Sequence, residues 1–359
     1  MCESHFSKTY VEARRRFKDA AAAAGATLSS HRIDVQCQDE LAIDIAIIGA
    51  DTAPTVVTSS GVHGVEGFLG SAIQHAILDR LRETGSEANI RHVLIHGVNP
   101  FGFSRLRRFN EDNVDLNRNF LENADDYKGA PAGYATLNGF LNPESPPSGF
   151  EPFKLRALWY IWHHGRQLLK QAIAGGQYQY PRGIFFGGNG PCKSTQIIFE
   201  NCDRWIGPSD RVVHIDFHSG LGAYGTYKLL LTERADPEAF SWYTKTFGTD
   251  CVEPLDAPNA TAYKISGVFG DWLQARFGTR KYRFVVAEFG TYGGIRVLGA
   301  IRAENRANHY AVKNSKIYQS AKTEILECFC PSDTSWRKKV VESGLNIIDQ
   351  AANALNGAE

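Results

Sequence analysis

Four polar side chains that could bind a metal or transfer protons follow predicted strands. His63, Asn99, His218 and Glu288 each come after a short apolar run rich in β-branched residues. Because open α/β sheets gather their ligands at the carboxyl ends of the strands, we expect these side chains to converge. Glu66 adds a second carboxylate three residues after His63. Since a catalytic zinc ion takes three imidazole or carboxylate ligands plus a water, two histidines and two glutamates at one edge of the sheet predict a hydrolytic zinc site.

Each of these residues also has a plain structural interpretation. His63 could be an exposed loop histidine, and Glu66 an acidic residue favoured by the dipole at a helix N-terminus. His218 could be a core histidine at a strand end. Glu288 could be a buried carboxylate paired with an arginine such as Arg296. The joint pattern of all four residues favours the metal site.

An arginine-rich segment follows Asn99 in the sequence. It contains Arg107 and Arg108 and leads to Asp115-Leu116-Asn117-Arg118-Asn119. Arginine beside a metal site can pair with a substrate carboxylate or stabilise a developing oxyanion. Asp115 is a candidate for the acid that orients a metal-bound histidine. The alternative is a solvated basic loop.

The elements that position these residues are read from periodicity and from turn signals. Short apolar runs bounded by glycine are typical of strands buried on both faces. The predicted strands are Arg32–Gln36, Leu41–Ile48, Thr55–Thr58, His92–His96, Val212–Phe217 and Phe284–Ala287. Helices are predicted at 8–25, 66–83, 153–174, 236–248, 267–277, 300–326 and 335–354. The expected fold is α/β, a three-layer α/β/α sandwich around a mixed, mostly parallel twisted sheet.

The whole chain, 1–359, is expected to form one domain. Residues from about 122 to 200 are predicted to be a loop-rich insertion, and glycine, proline and asparagine are frequent over 122–152. Within it, 181–200 resembles a turn between two strand-like pieces, and is interpreted as a hairpin turn or as a loop that covers the substrate.

Composition narrows the class of protein further. Basic and acidic residues number 39 each, which argues against a broad nucleic-acid-binding surface. No apolar run approaches the ~20 residues of a membrane span, and the N-terminus lacks the apolar stretch of a secretory signal. The 7 cysteines form no metal-binding or disulfide pattern. A cytoplasmic protein with no membrane or nucleic-acid partner is therefore expected, and the sequence does not predict its oligomeric state.

The order of these motifs resembles the zinc carboxypeptidases related to carboxypeptidase A, and most closely an uncharacterised bacterial group of carboxypeptidase-like proteins. The resemblance covers about residues 55–295. It rests on His63 and Glu66, on Asn99-Pro100-Phe101-Gly102, on Asp115–Asn119 and on His218. It implies the carboxypeptidase fold and one Zn²⁺ per chain, bound by His63, Glu66 and His218.

The resemblance also implies roles for individual residues. Asn117 and Arg118 would bind the free carboxylate of the substrate. Arg108 would polarise the scissile carbonyl, although Arg107 is close enough in sequence to take that role instead.

Two further positions match downstream. Tyr263–Trp272 resembles the family segment that carries a mobile active-site tyrosine, which makes Tyr263 a candidate catalytic residue. Glu288 occupies the position of the general base.

The implied activity is hydrolysis of an amide bond next to a free carboxylate, in short peptides. One alternative is an N-acyl amino acid deacylase, because the family related to aspartoacylase and succinylglutamate desuccinylase shares the first motifs. Another is a non-catalytic zinc-binding module of the same fold.

Overall fold

The computed structural model describes residues 5–35, 39–85, 89–165, 173, 175–232, 236–254 and 266–357. Within these residues one mixed sheet has the strand order β1-β2-β4-β3-β5-β8-β6-β7. The strands are β1 (Thr27–Arg32), β2 (Ala42–Ile48), β3 (Thr55–Ser60), β4 (Arg91–His96), β5 (Arg211–Ser219), β6 (Tyr227–Leu230), β7 (Val252–Glu253) and β8 (Lys281–Phe289). The central strands β4, β3, β5 and β8 run parallel, whereas β1, β2 and β6 pair antiparallel with their neighbours towards the middle of the sheet.

Several of the described helices begin at a polar side chain that caps them. Thr9, Asp236, Ser315 and Asp333 each accept a hydrogen bond from a backbone N–H of the first turn that follows. The helices are α1 (Tyr10–Ala23), α2 (Gly67–Thr84), α3 (Pro100–Ser104), α4 (Tyr134–Leu141), α5 (Phe153–His164), α6 (Lys193–Ile206), α7 (Pro237–Phe247), α8 (Phe269–Arg276), α9 (Gly294–Tyr310), α10 (Lys316–Phe329) and α11 (Thr334–Asn356).

Helices cover both faces of the sheet. Phe217 of β5 faces α2, where a Cβ on Gly70 would lie 3.4 Å from the Phe217 Cβ. His214 of the same strand faces α8, and its ring centroid lies 5.7 Å from that of Phe269. Because residues three apart in a strand point to opposite faces, the helices lie on both sides of the sheet, which is the middle layer of three. The predicted α/β/α class is confirmed.

A second apolar cluster lies beside the sheet. It joins α4 and α5 to α9 and α10, and includes Tyr134, Phe140, Ile184, Ile301 and Phe329. The segment predicted to be loop-rich therefore contributes helices that pack against the C-terminal part of the chain.

Several predicted boundaries are wrong. The first strand is Thr27–Arg32 rather than Arg32–Gln36; it lies at the sheet edge with mostly accessible side chains, so it has no apolar run to reveal it. The predicted helix 300–326 is two helices, because Asn314 has φ +62° and Ser315 caps a new start. The second strand-like piece of 181–200 is instead the beginning of α6. Within the predicted helix 153–174, α5 ends at His164, and 166–172 and 174 lie outside the described residues.

Candidate metal centre

The three predicted metal ligands come together at the carboxyl ends of β3 and β5. His63 lies in the turn after β3, and Glu66 ends the short 3-10 turn that leads into α2. His218 is the penultimate residue of β5, next to β3 in the sheet. All three side chains are buried, and one ligand atom of each lies within 4.8 Å of the others.

The two imidazoles direct the same nitrogen at one carboxylate. His63 Nδ1 lies 2.9 Å from Glu66 Oε1, and His218 Nδ1 lies 3.1 Å from Glu66 Oε2. The rings are nearly perpendicular, at 79°, with centroids 4.9 Å apart. Two nitrogens and one carboxylate in this arrangement are a donor set that fits a single divalent ion.

The other ring nitrogen of each histidine, Nε2, contacts a second carboxylate. His63 Nε2 lies 3.2 Å from Asp115 Oδ1, and His218 Nε2 lies 2.5 Å from Asp216 Oδ2. Metal-bound histidines usually donate their other ring N–H to such a group, because this fixes the tautomer and the ring orientation. The carboxylates that hydrogen-bond the two histidines therefore also match the surroundings of a metal site, in addition to the three ligands.

Arg108 lies against the same cluster. Its Nε donates to Asp115 Oδ2 at 2.8 Å, and its Nη2 lies 2.6 Å from His63 Nε2. With its proton on Nδ1, His63 donates to Glu66 and accepts from Arg108. With its proton on Nε2, His63 donates to Asp115, and Nδ1 is available as a ligand.

The charged groups shift one another's pKa. Burial alone would raise the pKa of Glu66, but His63 and His218 outweigh burial and lower it. The pKa of Asp115 is likewise well below its usual range, because Arg108 and His63 outweigh burial. Burial would lower the pKa of His218, yet Asp216 and Glu66 raise it well above its usual value. The ionised carboxylates of Glu66 and Asp115 therefore give the cluster negative charges that attract a cation.

Glu288 lies beside the cluster on the neighbouring strand β8, in register with His218. Its Oε1 accepts a hydrogen bond from Leu221 N at 2.8 Å. Burial, followed by the negative charge of Glu66, raises the pKa of Glu288 to about 7. Arg296 pairs with Glu324 at 2.7 Å instead, so Glu288 is not its ion-pair partner.

The loop geometry depends on close backbone contacts. A Cβ on Gly64 would lie 2.1 Å from the carbonyl carbon of Gly102, so only glycine fits there. Asn99 Oδ1 accepts from Gly102 N at 2.8 Å, and its Nδ2 donates to Arg108 O at 3.1 Å. The Asn99–Gly102 motif thus holds the Arg108 segment against the ligands.

Arg107 takes a different direction from Arg108. Its Nε donates to Glu304 Oε1 at 2.9 Å, and its Nη2 donates to Asn113 and Asn305. Lys322 Nζ lies 2.5 Å from the same Glu304 oxygen. Of the two adjacent arginines, the structure brings Arg108 to the ligands and Arg107 to a separate buried ion-pair network.

Two of the predicted substrate-binding residues, Asn117 and Arg118, lie next to the cluster, whereas Arg107 does not. Asn117 Oδ1 accepts from Phe269 N at 2.9 Å, which ties its loop to α8. Arg118 is buried, and its positive charge contributes to the low pKa of Asp115. Tyr263 lies outside the described residues. The roles of Asn117, Arg118 and Tyr263 stay predictions.

A buried hydrogen-bond chain extends from His218 and was only partly anticipated. Asp216 accepts from Ser59 Oγ at 2.6 Å, and Ser59 Oγ lies 2.8 Å from His214 Nε2. His214 Nδ1 lies 2.7 Å from the Tyr282 hydroxyl. The sequence holds one signal for Ser59, namely its position directly after the predicted strand Thr55–Thr58. In the structure Ser59 pairs in register with Asp216.

The fold and this donor set define an α/β protein with a candidate metal centre at the carboxyl ends of parallel strands. The chain belongs to the family described as Protein of unknown function (DUF2817), which matches residues 6–343. No curated protein matches its sequence. Among the described residues, no helix combines the length and the apolar character that a bilayer crossing requires.

Three solved structures illustrate what the fold is similar to. Carboxypeptidase A from Helicoverpa armigera is 13% identical, with a TM-score of 0.49 over 97% of this chain and 74% of that chain. Bovine thrombin-activatable fibrinolysis inhibitor is 11% identical, with a TM-score of 0.47 over 95% and 98%. Succinylglutamate desuccinylase/aspartoacylase from Rhodobacter sphaeroides is 16% identical, with a TM-score of 0.38 over 81% and 66%.

Proposed function

We propose that this protein is a zinc-dependent hydrolase that cleaves an amide bond next to a free carboxylate, as a metallocarboxypeptidase acting on short peptides. One observation carries the proposal. The Nδ1 atoms of His63 and His218 converge on Glu66, and a carboxylate supports each ring from behind. Glu288 adds a buried carboxylate that is not a ligand, which a purely structural metal site does not need.

The bound zinc ion would supply a polarised carbonyl and a water of lowered pKa. Glu288 would accept the proton of that water and deliver it to the leaving nitrogen. A general base works best when its pKa lies near the working pH, and burial raises the pKa of Glu288 to about 7. Leu221 N holds the carboxylate in place through Oε1.

The arginines would bind and stabilise the negative charges of the substrate. Arg108, beside His63, would stabilise the oxyanion that forms at the scissile carbonyl; removing one such donor typically costs about 2.7–4 kcal/mol in the transition state. Arg118 and Asn117 would bind the free carboxylate of the residue being released, and Tyr263 would close over the substrate.

An N-acyl amino acid presents the same two features, an amide and a neighbouring carboxylate. The test is therefore a hydrolysis screen of the zinc-loaded protein with dipeptides, longer peptides and N-acyl amino acids, each as free acid and as carboxamide. We expect turnover of free acids that is lost on chelation and restored by zinc. Cleavage of N-acyl amino acids alone would identify a deacylase. Bound zinc without hydrolysis of any compound would contradict the proposal and favour a non-catalytic module.

A further inference from the structure

One aromatic side chain contacts both arginines to which substrate roles are assigned. The Arg108 Cζ lies over the ring of Phe185, 5.2 Å from its centroid, and the Arg118 Cζ lies 6.0 Å from the same centroid. Phe185 is only 5% exposed, so the contacts are largely shielded from water. Two guanidinium groups repel each other, and the negative face of an aromatic ring attracts both.

The backbone of Phe185 has a conformation that a side chain of this size avoids. Its φ is +58°, where the Cβ of an L-residue crowds the following carbonyl oxygen. Glycine would adopt this conformation freely, and both residues that follow Phe186 in the chain are glycines. A strained backbone at a bulky residue points to a need for its side chain at that place.

The strained backbone is held by hydrogen bonds on both sides. Phe185 O accepts from Gln177 N at 3.0 Å, and Gly187 N donates to Gln177 O at 2.8 Å. Phe186 O accepts from Asp115 N at 2.7 Å. Because Asp115 pairs with Arg108 and supports His63, the backbone of Phe186 links the Phe185 segment to the metal cluster.

We propose that Phe185 is a positioning residue that sets the spacing between Arg108 and Arg118, and so selects substrates whose free carboxylate lies one residue from the scissile carbonyl. The inference rests on the proposed function. Arg108 would act at the carbonyl and Arg118 at the carboxylate, so their spacing measures the distance between these two groups of the substrate. Phe185 acts through both arginines and does not itself react.

The test is the selectivity for free acid over carboxamide, measured as the ratio of kcat/KM values for each matched substrate pair. This ratio does not depend on how much of a variant is folded. For Phe185→Leu we expect it to fall roughly 10- to 30-fold, the size of one desolvated cation–π contact. Phe185→Tyr keeps the aromatic face and should restore most of the ratio.

Phe109→Leu is the matched control. Phe109 is fully buried, packs edge-on against Phe185, and has the Arg107 Cζ 5.8 Å from its ring centroid. Because Arg107 pairs with Glu304, this variant should lower stability and leave the ratio unchanged. An unchanged ratio in Phe185→Leu, or an equal fall in Phe109→Leu, would overturn the inference.

A wild-type chain that cleaves none of the substrates contradicts the proposed function, and binding then decides the inference. Calorimetric titration of the zinc-loaded chain with N-acetyl-phenylalanine and with its carboxamide gives the same ratio from Kd values. Selective weakening of free-acid binding in Phe185→Leu supports the inference. No preference for the free acid in the wild type, or an unaltered preference in the variant, overturns it.

Discussion

The strand-end half of the site and its loop half are built in different ways. His63, His218 and Glu288 lie at or just beyond the ends of adjacent parallel strands, where sheet register sets their spacing. Arg108 and Phe185 lie on irregular segments, and individual side-chain and backbone hydrogen bonds fix them. The strand-end half is held by the repeated backbone hydrogen bonds between paired strands. The loop half is held by single buried polar contacts. Substitutions in the two halves should therefore change different properties, such as activity, zinc affinity or stability.

The largest expected effect is a loss of activity, and it comes from a substitution in the strand-end half. Glu288→Gln removes the proton acceptor but keeps an oxygen for Leu221 N, so zinc binding and stability should persist while kcat falls about 10²- to 10⁴-fold. Metal content and hydrolysis rates measure both. Glu324→Gln, at a carboxylate paired with Arg296, is the control and should retain activity. Substantial turnover by Glu288→Gln would refute the assignment of the base.

In the ion-pair network that joins Arg107, next to the loop half, to α9 and α10, the largest effect should be on folding. Glu304→Ala leaves Arg107 and Lys322 buried without their counter-ion, and the free energy of unfolding should fall by about 3–5 kcal/mol. Burial already lowers the pKa of Lys322 to about 8. Urea denaturation measures the loss, and the zinc content of the folded fraction should be unchanged. Glu342→Ala, which breaks an exposed pair with Lys338, should change stability by less than about 1 kcal/mol.

The hydrogen bond that a carboxylate makes to the second ring nitrogen of a ligand histidine should raise metal affinity. Asp216→Asn weakens the hold on His218 Nε2, and zinc affinity should fall about 10- to 100-fold in a chelator competition. Asp44→Asn is the control, because Asp44 is equally buried but pairs with Arg14 on the β2 side of the sheet. It should lower stability without changing the affinity. Equal zinc affinities for wild type and Asp216→Asn would contradict the supporting role of Asp216.

The smallest effect concerns pH. Burial and the charge of Glu66 raise the pKa of Glu288 to about 7, and only the ionised carboxylate can accept a proton. The value of kcat/KM should therefore rise with pH through an acid limb with a midpoint at or below about 7, since bound zinc favours the carboxylate. Any residual activity of Glu288→Gln should lack this limb. A rate that falls as pH rises through the acid range would contradict this assignment.

The difference between the halves also explains what the sequence could predict. The central strands and His63, Glu66, His218 and Glu288 follow from short apolar runs that end in polar residues, a local signal. The choice between Arg107 and Arg108 has no local signal, because Glu304 lies 197 residues beyond Arg107. Phe185 was not predicted either, since a strained aromatic residue shows no pattern in sequence. For 181–200 only the second strand-like piece is wrong, because α6 begins at Lys193.

Zinc content tests the central claim most directly. Purified wild type is compared with the His63→Ala, His218→Ala double variant after incubation with zinc and removal of the free ion. The account predicts about one zinc ion per chain in the wild type and loss of that ion in the variant. Wild-type protein that takes up no zinc, or a double variant that keeps the same amount, would contradict the metal centre and every role assigned around it.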